Sequence, residues 1–190
     1  MGRKKCLRTS KKKAGGSKRI LMVIAALIIS LAFVGIVTYK PSQPPSSQYP
    51  LAPSFTLTDI AGKKLSLSDF RGKVVILDFM GAQCIPCTEQ VVELRKVHQM
   101  YSGKVETLSI SVYSSEGWNR ELRSFAQSFD VQWRIATDTD GTVSKYQIKG
   151  IPTLVIVDQN GCIRFRHEGL VDAPAIIQQI KTILGEVWEV

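Results

Sequence analysis

Apolar and polar residues alternate with several different rhythms along this chain. From Ile20 to Tyr39 the sequence "ILMVIAALIISLAFVGIVTY" is twenty residues long and carries no charge. At about 1.5 Å rise per residue that length matches a hydrocarbon core of about 30 Å, so the run predicts one transmembrane helix. A cleaved signal peptide would have a shorter apolar region ending in small residues, and a buried globular helix would show a polar stripe. From Phe55 the rhythm turns globular. "FTLTDIAGKKLSLSDF" alternates around Ala61-Gly62, predicting a hairpin with Leu65 and Leu67 inward and a turn over 68–72. "KVVILDFM" is a near-continuous apolar run, as in a strand buried on both faces. From Cys84 to Tyr101 the spacing of Val91, Leu94, Val97 and Met100 or Tyr101 is helical, and Pro86 suits a first turn.

Strand alternation returns over Val105 to Tyr113, a helix is predicted from Trp118 to Phe129, and a short one from Thr142 to Tyr146. "TLVIVDQNGCIRFRHEG" reads as a hairpin turning at Asn160-Gly161, a dipeptide that accepts positive φ. Asp172 is placed to cap a last helix that turns Ile176, Ile177, Ile180 and Leu184 inward. Strands alternating with helices, then a hairpin and a helix, predict an α/β fold: a three-layer sandwich with a mixed central sheet.

Charge refines the domain plan. Residues 1–19 hold nine Lys and Arg and no acid, which equals the whole formal charge of +9. The basic balance therefore belongs to a tail, and no nucleic-acid partner is implied. A basic flank places the N-terminus in the cytoplasm. The expected plan is a cytoplasmic tail over 1–19, a membrane anchor in contact with lipid over 20–39, a Pro- and Ser-rich spacer over 40–53, and an extracytoplasmic domain over 54–190.

The candidate chemistry is "QCIPC". Cysteines three apart at a helix start bring both sulfurs onto one turn, close enough to bridge. Unpaired amides and the positive dipole end favour a thiolate there. Cys84, at the open end, is the candidate nucleophile, and Cys87, one turn deeper, the candidate resolving thiol. Cys-x-x-Cys is also half of a zinc knuckle, but a structural zinc needs four ligands. Cys162, His98 and His167 are the other candidates in the domain, with no second paired motif, so no metal is expected. A structural disulfide across so short a loop would add little stability.

"VVILDFMGAQCIPC" followed further on by "GIPT" resembles the thioredoxin superfamily, and "APSFTLTDIAGKKLSLSDFRGKVVILDF" resembles the opening of its membrane-anchored TlpA/ResA-type branch. The similarity spans Leu51 to Leu184. It implies a thioredoxin-like fold, a redox-active Cys84–Cys87 disulfide and a cis Pro152 beside it, with the Ile151 backbone receiving substrate as an added strand. It also implies that Asp78 is a buried carboxylate beneath Cys87, able to take its proton. The implied activity is thiol-disulfide exchange on exported proteins, for example in cytochrome c maturation. A membrane electron-transfer partner would recharge the dithiol, and no organic cofactor is needed.

Three positions depart from that pattern. Gln83 replaces the usual Trp before the first cysteine, so a polar contact meets the substrate there. Gln90 stands where ResA-type proteins tend to carry Glu, with Glu89 one earlier, which moves the weight of proton handling onto Asp78. Ile85-Pro86 between the cysteines removes one amide.

Two further functions compete. A peroxiredoxin-like thiol peroxidase would share the N-terminal hairpin but needs Thr or Ser three residues before its cysteine, where this chain has Gly81. A copper chaperone of the SCO type would need Cys-x-x-x-Cys, one residue longer, and a matching His. Elsewhere, Cys162 is expected on the more polar side of its strand with Arg164 and Arg166, and His98 on the solvated side of its helix. Cys6 is expected in the reducing cytoplasm, and Trp118, Trp133 and Trp188 as packing residues.

Overall fold

The computed structural model describes residues 49–114 and 117–186. The tail, the apolar run, the start of the spacer, Cys6 and Trp188 lie outside the described residues. No helix among those described is long and apolar enough to cross a membrane.

Strand β3 (Val74–Met80) organises the domain, and all seven of its residues are buried. Parallel to it on one side runs β4 (Val105–Ser111), and antiparallel on the other runs β6 (Thr153–Val157). The remaining strands are β1 (Thr56–Asp59), β2 (Lys64–Ser66), β5 (Arg134–Thr137) and β7 (Ile163–Glu168). Together they form one mixed sheet in the order β2-β1-β5-β4-β3-β6-β7. Helix α1 (Ile85–Tyr101) carries the chain from β3 to β4, and α2 (Trp118–Ser128) from β4 to β5. Each crosses between neighbouring parallel strands, so both lie on the same face of the sheet. The short α3 (Thr142–Lys145) and the final α4 (Ala173–Leu184) complete the domain.

The three layers are unequal. On one face Val74 and Ile76 pack with Leu94 and Val97 of α1 and Ile176, Ile180 and Ile183 of α4. Near the end of β3, Met80 packs with Cys87 and Val91 of α1 and Leu122 and Phe125 of α2. The opposite face, Val75, Leu77 and Phe79, has a thinner cover: Phe55, Leu67 and Phe70 from the hairpin and its 3-10 turn, and Tyr146 after α3.

Leu65 and Leu67 point inward as expected, and Gly161 takes φ +84° in the β6–β7 turn. Asp172 caps α4, its Oδ1 accepting from the Ala175 N–H at 2.9 Å. Four details differ from the sequence reading. β5 was not anticipated; "RIAT" is too short to show a period. Ile183 is buried where Leu184 is expected, with Leu184 partly buried beside it. The end of the expected spacer lies along the domain: Ala52 donates to the Gly161 carbonyl, Ile163 to that of Pro50, and Tyr49 lies under Arg164. Cys162 is consequently buried rather than polar-facing, bridged by Leu51.

Candidate active site

The C-terminal end of β3 runs through Gly81, Ala82 and Gln83 directly into α1. Cys84 is the N-cap of that helix, in extended conformation, with Pro86 in the first turn. The Cys87 N–H points at the Cys84 sulfur at 3.2 Å. The two cysteines form a disulfide, with Cα atoms 5.2 Å apart. Cys84 is half-buried and Cys87 fully buried. Their inequality follows from the helix: Cys87 lies on the stripe with Val91 and Leu94 that faces the sheet, while Cys84 sits at the open end. When the disulfide is reduced, the amide and the helix dipole stabilise negative charge on Cys84.

Residues distant in sequence complete the site. The Ile151–Pro152 peptide bond is cis, and the Ile151 carbonyl oxygen lies 3.9 Å from Cys84 Sγ. Gly81 is enclosed between Tyr113 and Ile151. A Cβ there would come within 2.9 Å of the Tyr113 ring and 3.2 Å of Ile151 Cδ1. Tyr113 stacks on Trp118, with ring centroids 4.7 Å apart. Gln83 is exposed and lines a groove of about 360 Å³ with Arg120, Glu121, Phe125 and Phe129. Ile85 beside the disulfide is 76% exposed, so an apolar side chain is offered to any partner there.

Asp78 lies deeper. Alternation along β3 puts it on the face that α1 covers, between Ile76 and Met80. Its Oδ2 accepts from the Ser109 hydroxyl at 2.8 Å, and Ser109 in turn accepts from Trp133 Nε1–H at 2.9 Å. Its Oδ1 is buried with no hydrogen-bond partner. Burial pushes the Asp78 pKa up from 3.8 to about 7, against the opposing pull of the Ser109 hydrogen bond. At neutral pH the group therefore holds and releases a proton readily.

Gln90 has another role. It is fully buried and clasps Val171, donating from Nε2 to the carbonyl at 3.0 Å and accepting from the N–H at 2.8 Å. With Glu93, which accepts from Ala173 N–H, it ties α1 to the start of α4. His98 is not simply solvated: its ring packs on Trp133 at 5.6 Å. Among the described residues no group of three or more His, Cys, Asp and Glu is arranged to hold a metal.

Residues 50–166 match the AhpC/TSA family. The chain belongs to that family. Its homologues are thiol-disulfide oxidoreductases of thioredoxin-like fold, and it carries a redox Cys-x-x-Cys pair of its own. It is 30% identical to the thioredoxin-like protein YneN of Bacillus subtilis, over 68% of this chain and 76% of that protein. It is 28% identical to the thiol-disulfide oxidoreductase ResA of Geobacillus kaustophilus, over 87% of this chain and 97% of the relative. Among solved structures, a Chlorobium tepidum protein assigned as thiol:disulfide interchange protein DsbE superposes with a TM-score of 0.65. That pair is 29% identical, covering 72% of this chain and 97% of the other.

The sequence reading of this AhpC/TSA member named Cys84, Cys87, Asp78, Gln83, Ile151 and Pro152. Cys84 meets Ile151 directly, Gln83 lines the adjacent groove, and Asp78 lies under α1 on the same strand face as Met80. Ser109 is not among them, and Trp133 is expected only as a packing residue. The signal for Ser109 was present, because it sits directly opposite Asp78 in the β3–β4 register. Finding it required knowing that the two strands are neighbours.

Proposed function

We propose that this chain is a membrane-anchored thiol-disulfide oxidoreductase that reduces disulfides in exported proteins. The observation that carries the reading is the inequality of the two cysteines. Cys84 is accessible at a helix N-terminus beside the Ile151 carbonyl, and Cys87 is sealed behind it.

In the reduced protein, the Cys84 thiolate attacks one sulfur of a substrate disulfide and expels the other as a thiolate, leaving a mixed disulfide. The Ile151 backbone orients the substrate segment as a short added strand. Cys87 then gives its proton to Asp78 and attacks the Cys84 sulfur, releasing the second substrate thiol. Two electrons pass from the dithiol to the substrate, and the Cys84–Cys87 disulfide forms. A membrane electron donor restores the dithiol.

Support for the anchor comes from the apolar run Ile20–Tyr39 with its basic flank. Gly81 speaks for oxidoreductase over peroxidase chemistry, since a threonine side chain there would press on the Tyr113 ring and on Ile151.

The full-length chain in detergent, equilibrated with thiol buffers and alkylated, should show a Cys84/Cys87 potential at or below about −250 mV; a value near −120 mV would make it a disulfide-forming oxidant instead. In intact cells an impermeant thiol reagent should label reduced Cys84 and spare Cys6, and labelling of Cys6 alone would reverse the topology.

A further inference from the structure

We propose that Ser109 and Trp133 are positioning residues that hold Asp78 through its Oδ2 and so set the pH at which it takes the proton of Cys87. This rests on the oxidoreductase reading above and extends it to residues that no resemblance assigns.

The inference follows from counting protons along a chain of hydrogen bonds. The Trp133 indole N–H is a donor only, and it donates to Ser109 Oγ at 2.9 Å. With that bond in place the Ser109 hydroxyl donates to Asp78 Oδ2, 2.8 Å away. Oδ2 is held as the acceptor from Ser109 while Asp78 is a carboxylate, and Oδ1 is buried with no hydrogen-bond partner among the described residues. Loss of the Ser109 donor would leave both carboxylate oxygens without a partner. Burial favours the neutral acid, and the Ser109 bond favours the carboxylate, which sets where the group changes charge.

The groups packed around this chain leave it little competition. From α1 come Cys87, packed with Met80 on the same face, and His98, whose ring lies on Trp133. Arg95 of the same helix is engaged with the Phe129 carbonyl at the end of α2. On the same face β4 supplies Thr107 and Ser111 beside Ser109, and β6 supplies Leu154 opposite Asp78, none of them charged.

The test uses the reduced full-length chain, with Cys6→Ser in every variant so that the tail thiol does not report, and the small disulfide dithiobis-nitrobenzoate. Attack by Cys84 releases one thionitrobenzoate, and resolution by Cys87 releases the second while the protein disulfide forms. In the wild type the second phase should rise with pH as Asp78 ionises. Ser109→Ala leaves Oδ2 without its donor, so the midpoint should move up by about one pH unit, slowing the second phase about fivefold at pH 7. The first phase should not move. Ser109→Thr, which keeps the hydroxyl on a strand position suited to β-branching, should restore the profile. Trp133→Phe, which frees the hydroxyl to turn away, should give a smaller shift in the same direction. In an Asp78→Asn background, Ser109→Ala should add no shift.

A Ser109→Ala profile superimposable on the wild type would overturn the proposal alone, as would a shift that persists in Asp78→Asn. A wild-type chain that releases neither thionitrobenzoate would overturn the oxidoreductase reading along with it.

Discussion

The two faces of β3 are buried to the same degree and built from different material. Val75, Leu77 and Phe79 pack in a cluster of apolar and aromatic side chains, with Phe79 and Tyr146 centroids 5.3 Å apart. On the other face Asp78 interrupts the apolar row and meets Ser109, which in turn holds Trp133. A carboxylate in that position raises no stability at neutral pH, since burial opposes its charge. One face therefore holds the sheet together, whereas the other gives up some stability to keep a titrating group beneath α1.

Breaking the apolar face should have the largest effect on folding. Phe79→Ala removes a fully buried ring from the centre of the sheet and should cost about 3–5 kcal/mol in a urea titration. Exchange activity per folded molecule should be retained.

On the polar face, Asp78→Asn should behave in the opposite way. The folded-state pKa of about 7 lies above the value of 3.8 for the free group. The associated stability is therefore fully present below pH 3.8 and is lost as pH rises through about 7. That interval corresponds to about 4 kcal/mol. Denaturation of Asp78→Asn should show a flatter pH dependence across the same window and greater relative stability at pH 8, with resolution by Cys87 slowed. Equal pH dependence in variant and wild type would remove the distinction between the faces.

A smaller effect should sharpen it. Gln90→Glu keeps an acceptor for the Val171 N–H but loses the donor to the Val171 carbonyl. A loss of about 1–3 kcal/mol at pH 8, without a shift in the pH profile of exchange, would identify Gln90 as a clasp between α1 and α4 rather than part of the proton path.

Much of this architecture was legible because its elements are long and periodic. The α1 stripe of Cys87, Val91, Leu94 and Val97 and the unbroken apolar run of β3 each span several residues, so a period can be seen. β5 has four residues and begins with a partly exposed arginine, and its place in the sheet comes from pairing with β1 and β4 rather than from a pattern of its own. His98 was read as solvated because its own helix puts it off the apolar stripe; Trp133, from another element, covers it.

The sequence by itself determined which residues are the candidates for the chemistry. The spacing of Cys84 and Cys87 at a helix start, Pro152 in "GIPT" and a lone acid within "VVILDFM" are all local features, and local geometry follows from neighbouring residues. Only the tertiary structure decided how those groups are tuned. The Ile151 carbonyl beside Cys84, the enclosure of Gly81 by Tyr113 and the Trp133–Ser109–Asp78 chain join residues far apart in the sequence. Hydrogen bonds and burial depend on which strands become neighbours, and that is set by the packing of the whole sheet.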